Sequence, residues 1–109
     1  QDLPLLLSSF SYFSLTSAKE LWPEVSLGYN VSAIPKAWKS RLELLGCSGL
    51  HIHQSFFNSR QVAEIKAAGY KVLAFTINDE VRALDLYEQG LDAVFSDYPL
   101  KIKQAIEAL

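Results

Sequence analysis

The sequence predicts an α/β fold built on a parallel sheet, and three observations carry that reading. Helix-terminating residues Pro23, Gly46, Gly69 and Gly90 recur at separations of 23, 23 and 21 residues, the length of one strand-helix unit. Each is followed by a short apolar stretch: Val25-Ser26-Leu27-Gly28-Tyr29, Gly49-Leu50-His51-Ile52-His53, Val72-Leu73-Ala74-Phe75-Thr76 and Ala93-Val94-Phe95-Ser96. Between these stretches lie segments with helical apolar spacing and helix-capping residues at their starts. Strict alternation of strand and helix requires parallel strands joined by right-handed crossovers.

Taken in order, Leu3-Pro4-Leu5-Leu6-Leu7-Ser8 reads as a buried first strand and Tyr12 to Trp22 as the helix behind it. Pro23 stops that helix, because a proline can neither donate its hydrogen bond nor clear the preceding turn. After the second strand, Val31 to Trp38 reads as a connection whose Ile34-Pro35 delays any helix. Gly46, past Leu44-Leu45, suits the left-handed conformation that closes a helix, as do Gly69 and Gly90 after theirs. Asn58 or Ser59 caps a helix through Val62, Ile65 and Lys66, and Asn78 caps the next, whose first turn holds Asp79 and Glu80. Pro99 fits the first turn of a last helix with an apolar stripe at Ile102, Ile106 and Leu109. Five strand-helix units result. They fit either an open doubly wound sheet or part of a closed (β/α) barrel of eight strands, and the period alone does not choose.

At 109 residues, 50% hydrophobic and 20% charged, the chain is a single segment with enough apolar surface for a core, and is neither disordered nor fibrous. A net charge of −2 without a dense Lys/Arg cluster argues against a nucleic-acid partner. The apolar run from Leu3 to Leu7 is too short to insert in a membrane, and Asp2 stands where a signal peptide would be basic. A lone cysteine, Cys47, excludes an internal disulfide and leaves cytoplasm, periplasm and secretion open, the cytoplasm favoured. Cys47 follows a helix on the side away from the strand ends and reads as a packing residue. The chain begins with Gln1 and lacks Met, which reads as a processed or truncated segment.

Polar residues gather where the strands stop: Ser8 and Ser9, Asn30, His51 and His53, Thr76 and Asn78, Ser96 and Asp97. In both architectures the carboxyl ends of parallel strands form the ligand-binding face. His51 and His53 lie two apart on one strand and so face the same way. With Asp97 they sketch the metal site of an amidohydrolase-type barrel, but two histidines without further nitrogen donors make an incomplete zinc site. Hydrogen bonding to a substrate suits them better. There is no G-x-G-x-x-G, P-loop or G-x-S-x-G sequence.

Four motifs in order then resemble the glycerophosphodiester phosphodiesterase family. Leu6-Leu7-Ser8-Ser9-Phe10 is similar to its Ser-Ser-Phe strand and Gly49-Leu50-His51-Ile52-His53 to a His-containing strand. Val72-Leu73-Ala74-Phe75-Thr76-Ile77-Asn78 and Gly90-Leu91-Asp92-Ala93-Val94-Phe95-Ser96-Asp97-Tyr98-Pro99 resemble its closing motifs. The resemblance implies the C-terminal half of a TIM-type barrel whose full-length enzyme hydrolyses glycerophosphodiesters to glycerol phosphate and an alcohol. It implies a divalent cation, calcium or magnesium, held outside this segment. The family's catalytic His-Arg, Glu-x-Asp and His-Asp sequences do not occur here, and Glu64-Ile65-Lys66 spells its Glu-x-Lys motif inside a helix rather than at a strand end. No catalytic residue is therefore expected in this segment. It would supply a substrate-binding wall, with Ser9, His51 and His53 on phosphate or glycerol oxygens and Phe75 in the place of the family's tryptophan. Thr76, Asn78 and Asp97 would shape the loops behind. Its partner would be the missing N-terminal half or a second copy. The competing reading is a stand-alone flavodoxin-like binding module without enzymatic activity.

Overall fold

The computed structural model describes residues 6–109. Five strands, β1 (Leu6–Ser9), β2 (Ser26–Val31), β3 (Gly49–His53), β4 (Lys71–Phe75) and β5 (Ala93–Val94), alternate with helices α1 (Tyr12–Leu21), α2 (Trp38–Leu45), α3 (Ser59–Ala67), α4 (Glu80–Glu88) and α5 (Pro99–Glu107). A short 3-10 turn, Gln54–Phe56, precedes α3. The strands are all parallel and lie in the order β1-β2-β3-β4-β5. Sequential order settles the architecture. A doubly wound sheet reverses direction at a switch point and places helices on both faces, whereas an unbroken run of right-handed crossovers puts every helix on the same side.

Burial follows that geometry. Leu27, Tyr29 and Val31 on β2, Leu50 and Ile52 on β3, and Val72 and Ala74 on β4 join Leu15, Leu42, Leu45, Val62, Ile65, Ala83, Leu86 and Ile102 of the helices in one core. The alternate positions, among them Gly28, Asn30, His51, His53, Leu73 and Phe75, point to the other face, because successive side chains on a strand face opposite ways. The chain measures 40 × 36 × 21 Å, and its short dimension is that of one sheet and one helix layer. This is an arc of a (β/α) barrel, with its helices outside and its concave face inward.

The helix ends obey the expected chemistry with one exception. Gly46, Gly69 and Gly90 adopt φ of 68°, 94° and 106°, the left-handed closure that side chains disfavour. Asn58 caps α3 by accepting from the Gln61 N–H, and Pro99 sits in the first turn of α5. The cap of α4 is Asp79, which accepts from the Arg82 N–H, and not Asn78. Asn78 is drawn instead into bonds with β5. The first strand is exposed rather than buried, since β1 lies at an edge and pairs only with β2; Leu3 to Leu5 fall outside the described residues. β5 is two residues long, although its pairing continues through Phe95, whose N–H donates to the Ala74 carbonyl and whose carbonyl accepts from the Ile77 N–H. Leu109 lies beyond α5 and is exposed, so the apolar stripe of that helix ends at Ile106. Cys47 is buried, and burial pushes its thiol up to about 11. No helix among the described residues is long and apolar enough to cross a membrane.

Candidate functional site

The strand carboxyl ends and the amino ends of the helices meet at one rim. There a cleft of about 230 Å3 is lined by Ser8, Phe10, Asn30, Phe75, Thr76 and Phe95. Three phenylalanines give it apolar walls; a serine, a threonine and an amide give it hydrogen-bonding groups. The helix amino ends around the rim bring partial positive charge to this side of the sheet. A larger cavity of about 410 Å3, between β5, α4 and α5, is mostly apolar and lies along the open edge of the sheet rather than at the rim.

The strand register assembles the site in rows. Asn30 stands beside His51, His51 beside Leu73, and Leu73 beside Ala93; one step nearer the rim, His53 stands beside Phe75. His51 is only 1% exposed and lies in the lower row. Its ring occupies the space above Gly28, where a β-carbon would come within 2.1 Å of it, and it packs 5.2 Å from the Phe95 ring. Its Nδ1 faces the Asn30 Oδ1 at 3.1 Å. Burial lowers its pKa to about 4, so the ring is neutral near pH 7. His51 thus sits beneath the cleft, and Asn30 reaches the lining in its place.

His53 is exposed at the rim. Its Nδ1 lies 2.7 Å from the Ser55 hydroxyl and accepts from the Ser55 N–H at 3.2 Å. Its ring stands edge-on to Phe75 at 5.7 Å and to Phe56 at 6.2 Å, and Phe75 meets Phe10 at 6.0 Å. These contacts make a continuous aromatic border from the β1–α1 loop to the β3–α3 loop. Ser9 is turned away from the cleft: its hydroxyl accepts from the Ser11 N–H at 3.0 Å and so shapes the turn into α1. Ser8 lines the cleft instead, as alternation along the strand demands.

Behind the rim, polar clips tie neighbouring loops together. The Asn78 Oδ1 accepts from the Ser96 hydroxyl at 3.0 Å and the Asp97 N–H at 2.9 Å, while its Nδ2 donates to Asp97 Oδ2 at 3.0 Å. On the other side, Arg82 Nε donates to Gln54 Oε1 and its Nη2 to the Gln54 carbonyl, both at 3.0 Å, and Gln54 Nε2 donates to the Thr76 carbonyl at 3.2 Å. Three successive loops are thereby held in fixed relation. The Gln54–Arg82 clip escaped sequence reasoning because its partners are 28 residues apart and Arg82 lies inside α4, away from the strand ends. Phe10 and Phe95 escaped too, although each stands two residues past a concave-facing position, Ser8 and Ala93, so that carrying the alternation on would have found both.

Glu64 and Lys66 are on the outer face of α3, flanking the buried Ile65. Glu64 pairs with Arg60 across the helix surface, and Lys66 Nζ reaches the Gly90 carbonyl at 2.7 Å and Asp92 at 3.4 Å. Both are remote from the cleft. Among the described residues no three His, Cys, Asp or Glu side chains converge in a way that could hold a metal ion, so these residues do not fit a cation site.

The comparisons agree with this geometry. The model of the glycerophosphoryl diester phosphodiesterase family matches residues 1–101. An Oleispira antarctica phosphodiesterase, solved in complex with the product sn-glycerol-3-phosphate, superposes with a TM-score of 0.96 at 75% identity, covering 98% of this chain and 43% of that one. A Galdieria sulphuraria protein superposes at 0.83 with 18% identity, over 94% of this chain and 43% of that one. A glycerophosphodiester phosphodiesterase from Parabacteroides distasonis does so at 0.75 with 21% identity, over 93% and 42%. The chain thus spans less than half the length of each of these solved relatives. No curated protein matches it. With the family model running through four of the five strand-helix units and into the last helix, and with the barrel arc that this family's structures share, the chain belongs to the glycerophosphoryl diester phosphodiesterase family.

Proposed function

We propose that this chain is the C-terminal half of a glycerophosphodiester phosphodiesterase barrel and supplies the wall of the site that binds the organic part of the substrate. The observation that carries this reading is the cleft itself, apolar on Phe10, Phe75 and Phe95 and polar on Ser8, Asn30 and Thr76, at the strand ends where barrel enzymes bind. A glycerol group has that same mixed character: carbon on its faces, hydroxyls along its edge. In the proposed reaction water adds to phosphorus, the bond from phosphorus to the leaving alcohol's oxygen breaks, and that oxygen takes a proton, leaving glycerol phosphate.

The acid, the base and the ligands of a divalent cation, calcium or magnesium, belong to strands outside this chain. This half contributes position: Phe75 and the aromatic border hold the organic group, and His53 at the rim hydrogen-bonds a substrate oxygen. Thr76, Asn78 and Asp97 fix the loops from behind, and Ser9 shapes the first of them. The partner is the other half of the barrel. A free-standing binding module is disfavoured because all five helices pack on one face of the sheet and, among the described residues, none packs on the other.

The test is hydrolysis of glycerophosphocholine with calcium or magnesium, by the 109-residue chain alone and by the barrel completed with the preceding half. Turnover is expected only from the completed barrel. Turnover by the chain alone, abolished by His51→Ala, would overturn the reading.

A further inference from the structure

The cleft holds one side-chain amide, and its orientation is controlled from below. Asn30 is half-buried at the end of β2 and lines the cleft beside Ser8 and Phe75. Its only side-chain hydrogen bond among the described residues runs from Oδ1 to His51 Nδ1, at 3.1 Å. An amide has a carbonyl side and an NH2 side. Fixing the first toward His51 leaves both N–H donors of Nδ2 to the cleft. The histidine cannot turn away, because its ring is confined over Gly28 and against Phe95. We propose that Asn30 is the residue that reads the hydroxyls of the glycerol group, with His51 as the positioning residue that keeps its NH2 turned toward them.

This inference rests on the proposed activity and deepens it. The Ser8 and Thr76 hydroxyls can each donate or accept and so tolerate either partner, whereas an amide locked with its NH2 outward demands an acceptor. A hydroxyl oxygen meets that demand. A bare carbon at the same place would leave the NH2 unpaired against phenylalanine walls, which is how a polar group in an apolar site discriminates. It follows that the bond between Asn30 and His51 requires the neutral ring to carry its proton on Nδ1.

Two measurements on the completed barrel test this. The first compares inhibition of glycerophosphocholine hydrolysis by sn-glycerol 3-phosphate and by inorganic phosphate, which lacks the glycerol. Asn30→Ala should weaken inhibition by glycerol phosphate about tenfold, the worth of one hydrogen bond, and leave inorganic phosphate within twofold. Equal loss for both, or loss for neither, overturns the inference while the activity stands. Wild-type barrel without diesterase activity overturns the proposed function and this inference with it. The second is the tautomer of His51 from its ring 15N shifts, which needs no substitution. Protonation on Nδ1 is expected. A proton on Nε2 would mean that Asn30 donates downward and shows its carbonyl to the cleft, and the proposal would fail.

Discussion

Gly28→Ala should disable the site from beneath. A β-carbon at residue 28 would lie 2.1 Å from Cε1, 2.3 Å from Nε2 and 2.7 Å from Nδ1 of His51, all well inside van der Waals contact. The ring is 1% exposed and closed in by Phe95, so a rotation of a few tenths of an ångström does not relieve the clash. Either the ring leaves its place or β2 moves away from β3. Overpacking of this sort costs about 1–3 kcal/mol, and losing the bond to Asn30 adds about 1 kcal/mol, for a total of about 2–4 kcal/mol. In urea the midpoint should fall by about 1–2 M with m unchanged. The decisive arm is the pair with His51→Ala. Once the ring is removed the new methyl has room, and in that background Gly28→Ala should cost under about 1 kcal/mol, giving a coupling of at least about 1 kcal/mol. A coupling near zero would show that the histidine ring does not occupy the space above Gly28.

Other outcomes follow from the same geometry. Phe75→Ala in the completed barrel should raise KM severalfold with kcat nearly intact, because an apolar wall touches ground and transition states alike; a loss confined to kcat would contradict the wall. Acid should destabilise the protein through His51. Its folded pKa of about 4 lies below the unfolded value of about 6.5, so the unfolded chain takes up a proton that the folded one refuses. Stability should therefore fall as pH drops from about 6.5 toward 4, by up to about 3 kcal/mol, and the part between pH 6.5 and 5 should vanish in His51→Phe; an unchanged slope in that variant would refute the assignment. Asp92→Ala should cost about 1–3 kcal/mol, because Oδ2 accepts from the Val72 N–H at 2.8 Å and Oδ1 faces Lys66, and the unfolding midpoint reads the loss.

Much of the fold was legible because its signals are local. A glycine or proline closing a helix and a short apolar run after it each act over a single turn or strand, and the pair recurs in this sequence at one period. What a local signal cannot carry is which strand has a neighbour on each side. Leu6 and Leu7 read as buried from composition and prove exposed, since an edge strand has only one partner. Asn78 and Asp79 are both good caps; the choice fell to Asp79 because Ser96 and Asp97, eighteen and nineteen residues away from Asn78, claim its amide. The same holds in the site. The pairing of His51 with His53 on one face was visible from their spacing. That one is buried and the other exposed depends on Gly28, a residue on another strand that has no side chain to announce it.

The alternation along each strand separates stability from recognition. On β3, Leu50 and Ile52 enter the helix-packed core while His51 and His53 face the concave side; on β4, Val72 and Ala74 do the first and Leu73 and Phe75 the second. Substitutions on the outer set should move the unfolding midpoint, and those on the inner set should move binding. His51 breaks this division, being as deeply buried as the core leucines yet bonded to a residue of the cleft. A change there has both consequences at once, so His51 variants need a melting curve beside every kinetic constant. The Asn30 side chain is half-buried and bonds only to His51 among the described residues, so its substitution costs that one bond, about 1 kcal/mol, and separates the two effects. If binding is lost at Asn30 with stability lowered by no more than that one bond, the histidine's influence on the cleft passes through that amide; if Asn30 is silent in binding and His51 is not, it passes through Phe95 and the aromatic wall.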